Sequence, residues 1–274
     1  MPFTLSHAVA AIPLYKYLGK FGALSALIIG SMTPDFAYFS DYIQSHINSH
    51  SLIGIYLFAV PAGLTVYYLY HFLMAPVLVS LLPKAIKKHL HEDLFLGRLP
   101  DIPSYTLVFS LMLGALTHVV WDFFTHQSGI PQFVPWMEVS LTSIDDYDIT
   151  TYRILQHFSS LFGLSLLVFW VWQWIGKKKH ANVPSTPASH AWQAPKALKL
   201  FSLVVLLTVP TIVGLIHGYN SIPDNDSMYD LYAARVFLRF GVTGSAGAFI
   251  VCSAALGLLY QYFIRGSLPS SIQH

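Results

Sequence analysis

His118, Asp122 and His126 recur at four-residue steps inside the run 114–136, which is otherwise largely apolar and aromatic. On a helix, side chains at this spacing line one face, about 6 Å apart per step. Imidazole, carboxylate and imidazole on one face form the donor set of an oxygen and nitrogen metal site. A row of polar residues facing the inside of a helical bundle would leave the same pattern, and the motif alone does not choose between them. Further chemistry-bearing residues lie upstream: His7, Asp35 just after Pro34, His46 and His50. A carboxylate such as Asp122 in so apolar a segment is costly unless it is paired, and a cation would neutralise it.

The surroundings of these residues are those of a membrane protein. Charged residues make up 10% of the 274-residue chain, against about 25% in a soluble domain. Hydrophobic residues reach 54% and aromatics 15%, more apolar surface than a soluble core of this size hides. The net charge of +2 comes with no basic stripe interleaved with aromatics, so nucleic acid is not an expected partner. Cys252 is the sole cysteine, which excludes an intramolecular disulfide and a thiolate-based zinc site. The first residues lack the basic region of a signal peptide, and His7 would be lost on cleavage.

The elements that must position the site follow from hydropathy and breakers. Residues 4–20 read as a half-buried helix, with Thr4 or Ser6 as its cap and Gly19 near its end. Residues 21–33 are small and apolar but too short to span a bilayer. Pro34 and Asp35 mark a break and a fresh helix start. Runs 52–82, 105–125, 155–175, 199–218 and 237–263 are each long and apolar enough to span, and Pro61 and Pro76 would kink the first. The expected fold is all-α: a polytopic integral membrane helical bundle of about five spanning helices plus short N-terminal helices. It is read as a single membrane domain over 1–274. The short helices and ligand-bearing turns occupy 1–51, three spans 52–175, a basic linker 176–198, and two more spans with a tail 199–274.

Lys84, Lys87, Lys88 and Arg98 fall between the first two spans, Lys177, Lys178, Lys179 and Lys196 between the third and fourth, and Arg265 after the last. The alternate loops are acidic, with Glu138, Asp145, Asp146 and Asp148 in one and Asp224, Asp226 and Asp230 in the other. Basic loops stay cytoplasmic, which places the C-terminus inside and residues 1–50 outside, although Lys16 and Lys20 then lie on the outer side. His7, His50, His118, His126, His157 and His217, with Asp35 and Asp122, then fall at comparable depth near the outer surface. His89, His91, His180, His190 and His274 lie in loops or the tail. His71, deep in the first span, reads as a helix-packing hydrogen bonder.

Thr4-Leu-Ser-His7, Gly30-Ser-Met-Thr-Pro34-Asp35, His46 through His50-Ser-Leu, and Gly114-Ala-Leu-Thr-His118-Val-Val-Trp-Asp122-Phe-Phe-Thr-His126 resemble a bacterial family of polytopic membrane proteins of unknown function. The run Leu155 to Gly163 resembles it too. That family is similar to the membrane-bound metal-dependent hydrolases and, more distantly, to the zinc phospholipase C and P1 nuclease superfamily. The resemblance implies that His7, Asp35, His50, His118 and Asp122 are metal ligands, with His126 a further one. It implies one or two divalent ions, zinc first and manganese or iron as alternatives. Asp35 or Asp122 would orient water as general base. His157, just ahead of the helix-packing Ser159 and Ser160, reads as a substrate contact or a structural partner. Leu161 stands where the phospholipase pattern has a second glutamate, which argues against a full trinuclear cluster. The expected function is hydrolysis of a lipid or lipid-linked phosphoester at the outer face of the cytoplasmic membrane, with membrane lipid as the surrounding partner. The alternative is a non-enzymatic membrane protein with a structural metal site or a transport or scaffold role.

Overall fold

The computed structural model describes residues 4–87, 90, 93–144, 147–179, 194–223 and 231–267. Asp145, Asp146, Asp224, Asp226, Asp230, Lys88, His89, His91, His180, His190, His274 and most of the linker 176–198 lie outside the described residues.

The fold is all-α, with five helices long and apolar enough to cross a membrane: Leu52–Leu81, Ser104–Phe133, Thr151–Lys177, Lys196–Asn220 and Tyr232–Ile264. The exception is a two-stranded antiparallel hairpin, β1 (Ser140–Ile144) with β2 (Tyr147–Thr150), in a stretch that the sequence reading treats as an acidic loop. Contacts within the chain divide it into two compact units.

The first unit comprises Met1–Thr65, Ile102–Trp170 and Ile222–Arg239. Its axis is the helix Ser104–Thr125. The face it buries carries Thr106, Leu107, Ser110, Leu111, Gly114, Ala115, His118 and Asp122. The face it exposes carries Phe109, Met112, Leu116, Val120, Phe123 and Phe124. Small and polar side chains are inside and large apolar ones outside, the pattern expected when lipid is the solvent. Two glycines set the packing against the short helix Leu24–Gly30. A Cβ on Gly30 would collide with the Leu111 backbone, and one on Gly114 with the Leu27 carbonyl and the Ser31 amide. The helices can therefore approach to backbone contact. Ser110 Oγ accepts from the Ala23 amide at 3.0 Å, satisfying a donor at the start of the short helix.

Proline shapes the rest of this frame. The Thr33–Phe39 turn is a 3-10 helix with Pro34 in its first turn, as the sequence reading expects. Thr4–Ala10 is also a 3-10 helix, and α-helix proper begins at Ala11 and ends at Leu18 before Gly19, whose φ is 53°. In the helix Leu52–Leu81, π-turns at Ile55–Ala59 and Tyr70–Met74 precede Pro61 and Pro76. The wider turns absorb a backbone that proline prevents from closing its normal hydrogen bond.

The second unit comprises Val66–Asp101, Val171–Ser221 and Phe240–His274. Val77, Leu206, Leu256 and Tyr260 form its buried core. The Tyr260 hydroxyl pairs with Ser80 Oγ at 2.8 Å and accepts from Ser202 Oγ at 3.4 Å, so three helices share one satisfied polar knot.

Candidate metal centre

Three elements of the first unit converge on one spot. The 3-10 turn supplies Asp35, the loop before Leu52 supplies His50, and the helix Ser104–Thr125 supplies His118 and Asp122. One donor atom from each of these four residues lies within 4.8 Å of all the others. His118 Nε2 is 3.3 Å from His50 Nε2, 3.2 Å from Asp122 Oδ2 and 3.5 Å from Asp35 Oδ1. His50 Nε2 is 3.4 Å from both Asp35 Oδ1 and Asp122 Oδ2. These separations exceed the 2.7–3.2 Å of ordinary N–H to oxygen hydrogen bonds at all but one edge. They match the ligand-to-ligand edge of a tetrahedral shell, about 3.3–3.4 Å for bonds of 2.0–2.1 Å.

The donors are turned inward by their second partners. His118 Nδ1 lies 2.8 Å from the Ser31 carbonyl. A carbonyl only accepts, so Nδ1 carries a proton, and once Nε2 gives up its own proton the ring presents that lone pair to the cluster. That carbonyl is within reach because Gly30 and Gly114 bring their helices together. Thr4 Oγ1 donates to Asp35 Oδ2 at 2.5 Å, leaving Oδ1 facing the histidines. Asp35 Oδ1 and Asp122 Oδ1 are buried without any hydrogen-bond partner. The ion-pair partners of both carboxylates among the described residues are histidines. Two buried anions faced by uncharged-capable rings call for positive charge, which protons or a cation can supply.

The outlying groups report the same field. Burial, helped by the charge of His118, lowers the His7 pKa to about 3 against the pull of Asp122 and Asp35. Burial raises the Asp35 pKa, but the nearby His118 and His50 rings and the Thr4 hydroxyl outweigh it and hold the carboxyl well below its usual range. Burial lowers the His50 pKa, but Asp122 and Asp35 outweigh it and raise it above 6.5. Asp35, Asp122 and His118 face the His50 ring, with Tyr38 6.1 Å away. A cation must displace the proton that the raised pKa keeps on His50. Affinity is therefore expected to increase as pH rises toward that pKa, and to fall below it by about tenfold per pH unit for each proton displaced. Titration calorimetry in buffers of different ionisation enthalpy reads that proton release, and a buffer-independent heat would refute it.

The remaining expected residues distribute as follows. His7 is buried, stacked on the His118 ring at 3.9 Å, with Nε2 3.6 Å from Asp122 Oδ1. His126 lies just beyond the helix, not on it, because the backbone turns extended there (ψ 147°). Its amide still bonds the Asp122 carbonyl at 2.8 Å, so Nδ1 stays 3.4 Å from Asp122 Oδ1. His157 is exposed and is not brought to the group. Its predecessor Gln156 is: the amide meets His126 Nε2. His46 is likewise apart, bonded to the Tyr42 carbonyl and stacked on the Tyr42 ring. His71 and His217 lie in the second unit, against Tyr67 and Phe240 respectively. Ser31, Trp121 and Gln156 are contributors that the sequence reading does not single out, and Thr4 is read there only as a helix cap, since residues of these types carry no ligand signature.

Two open pockets border the cluster. An apolar groove of about 490 Å³ is lined by Leu113, Leu116, Val120, Trp121 and Phe124, and the Trp121 ring sits edge-on to His7 at 5.8 Å. A polar pocket of about 480 Å³ is lined by His126, Gln127, Ser128, Gln132 and Glu138.

With this geometry in view, a family model described as a domain of unknown function, DUF4184, matches residues 1–265. The chain belongs to the DUF4184 family. No curated protein and no solved structure matches it. This DUF4184 chain thus carries a His and Asp cluster that could hold a metal ion.

Proposed function

We propose that this DUF4184 protein binds a divalent cation through Asp35, His50, His118 and Asp122 and acts as a membrane-bound hydrolase of a lipid or lipid-linked phosphoester. The observation that carries the cation is the set of donor separations between 3.2 and 3.5 Å, the edges of a coordination shell. Two carboxylates and two imidazoles without thiolate suit zinc, manganese or iron. Such an ion polarises phosphoryl oxygen and supplies hydroxide near neutral pH. In turnover Asp35 would stand off the ion and use Oδ1, aimed at the site by the Thr4 bond to Oδ2, to orient the attacking water. The apolar groove at Trp121 would take an acyl chain while the polar pocket at His126 takes the head group. The basic residues Lys84, Lys87 and Arg98 precede the helix Ser104–Thr125 and favour a cytoplasmic start. The cluster, at the other end of that helix, would face outside.

A structural metal site is the second reading, and one observation favours it. Four protein donors complete a tetrahedron and leave no position for water. Cobalt-loaded protein separates the two. A hydrolase site is expected to show a visible spectrum that changes with added phosphate, together with hydrolysis of a phospholipid in mixed micelles that Asp35→Asn reduces by at least about 100-fold. A phosphate-insensitive spectrum with no turnover would leave the structural site standing. Failure of elemental analysis to find metal in detergent-purified protein would remove both.

A further inference from the structure

The four-donor cluster opens at one member. The His50 side chain is 26% exposed, against 4% for Asp35, 0% for His118 and 9% for Asp122. A ligand that reaches the cluster therefore arrives beside His50. Tyr38 flanks that opening, its ring 6.1 Å from the His50 ring. The Arg239 guanidinium lies over the same Tyr38 ring, 5.7 Å from its centre. Both residues belong to the first unit. The charges of Asp35, Asp122 and Arg239 all act on the Tyr38 hydroxyl, so one ring separates the two carboxylates from a fixed positive charge.

That charge is what the cluster lacks. A divalent cation balanced by Asp35 and Asp122 is formally neutral, and neutral imidazoles add nothing. Such a centre does not by itself draw in an anion, whereas a cation beside its opening does. Depth agrees as well. Arg239 lies about two turns into the span Tyr232–Ile264. Residues 240–264 carry no charged side chain, roughly 37 Å of helix. A hydrocarbon core is about 30 Å thick, which leaves Arg239 at the depth of lipid phosphates. A guanidinium over an aromatic ring is steered without spending its N–H donors, whose planar fork matches two phosphoryl oxygens.

We propose that Arg239, held over Tyr38, binds the anionic phosphoryl oxygens of the substrate at the His50 side of the cation site, and so selects an anionic phospholipid. This rests on the reading of the cluster as the site of a phosphoester hydrolase.

The test is phosphate binding by the full-length chain in detergent, loaded with one equivalent of cobalt(II). Inorganic phosphate and short-chain phosphatidic acid are titrated separately, and the visible spectrum gives each Kd. Arg239→Gln should keep its full cobalt content and bind both ligands about 10–100-fold more weakly, the worth of hydrogen bonds to a charged group. Arg239→Lys keeps the charge without the fork and should fall between. Arg235→Gln, one turn nearer the helix start, is the control and should shift either Kd by less than about threefold. Phosphatidic acid is expected to bind more tightly than inorganic phosphate, and the reverse order overturns the selection of a lipid. Loss of cobalt from both Arg239 variants would make Arg239 a structural partner of the cluster and overturn its role toward phosphate. Unchanged affinities in Arg239→Gln, with wild type responsive, overturn that role and leave the hydrolase reading intact. A wild-type spectrum indifferent to both ligands overturns the two together.

Discussion

Asp122→Asn is expected to abolish cation binding, lowering affinity by more than about 100-fold, beyond the loss seen when only a supporting partner of a metal ligand is removed. The substitution is nearly isosteric, so helix packing is kept while the charge that faces four histidines is lost. Its effect on stability should depend on metal. In chelator, Asp122→Asn is expected to melt within a few degrees of wild type. The wild-type chain there carries two buried carboxylates whose histidine partners are 3.2 Å away or more, and buried charge so loosely paired adds little. Histidines that lose the carboxylate can shed their protons, so no isolated charge is stranded. With cation at a hundred times its Kd, wild type alone should gain about 2.7 kcal/mol. Apparent Tm in detergent, measured with chelator and then with metal, reads both arms. A large loss in chelator with no further divergence in metal would mean that Asp122 serves a hydrogen-bond network instead.

The residue types of this site were legible in the sequence because lipid-spanning segments make polar residues conspicuous. His118 and Asp122 stand out against Phe, Val and Leu, and Asp35 stands out after proline. Their convergence was less legible. It depends on how closely Leu24–Gly30 approaches Ser104–Thr125, and Gly30 and Gly114 mark that approach only as two small residues among many. Periodicity placed His126 on the helix because its spacing continues the pattern, but the chain turns there and Gly129 folds back onto the Phe123 carbonyl. Membrane depth singled out His157, whose ring is exposed, over Gln156, whose amide reaches the site. A glutamine gives no sign of its partner until the helix is placed. The hairpin at 140–150 escaped because its short strands are polar and stabilised by local contacts. Asp148 accepts from Ser140 and Ser143, contacts that hydropathy does not register.

Gly114→Val is expected to empty the site without touching a ligand. A Cβ at this position would press on the Leu27 carbonyl, the Ser31 amide and the Gly30 carbonyl carbon, all backbone atoms that no rotamer change can move aside. The helices must separate, and overpacking of this kind costs about 1–3 kcal/mol or more where backbone has to shift. Separation pulls the Ser31 carbonyl away from His118 Nδ1, releasing the tautomer and orientation of that ring. It also carries the turn bearing Asp35 away from the helix bearing His118 and Asp122, and edges of 3.2 to 3.5 Å tolerate little displacement. Metal affinity should fall by about 100-fold, the upper end of what losing a supporting partner costs. Gly247→Ala is the matched control, since a Cβ there meets nothing within 4 Å. It should leave metal content unchanged and stability the same or slightly higher. Elemental analysis of the two purified variants decides the matter. Full metal content in Gly114→Val would show that the donors gather without the close helix contact, and that Gly114 serves packing alone.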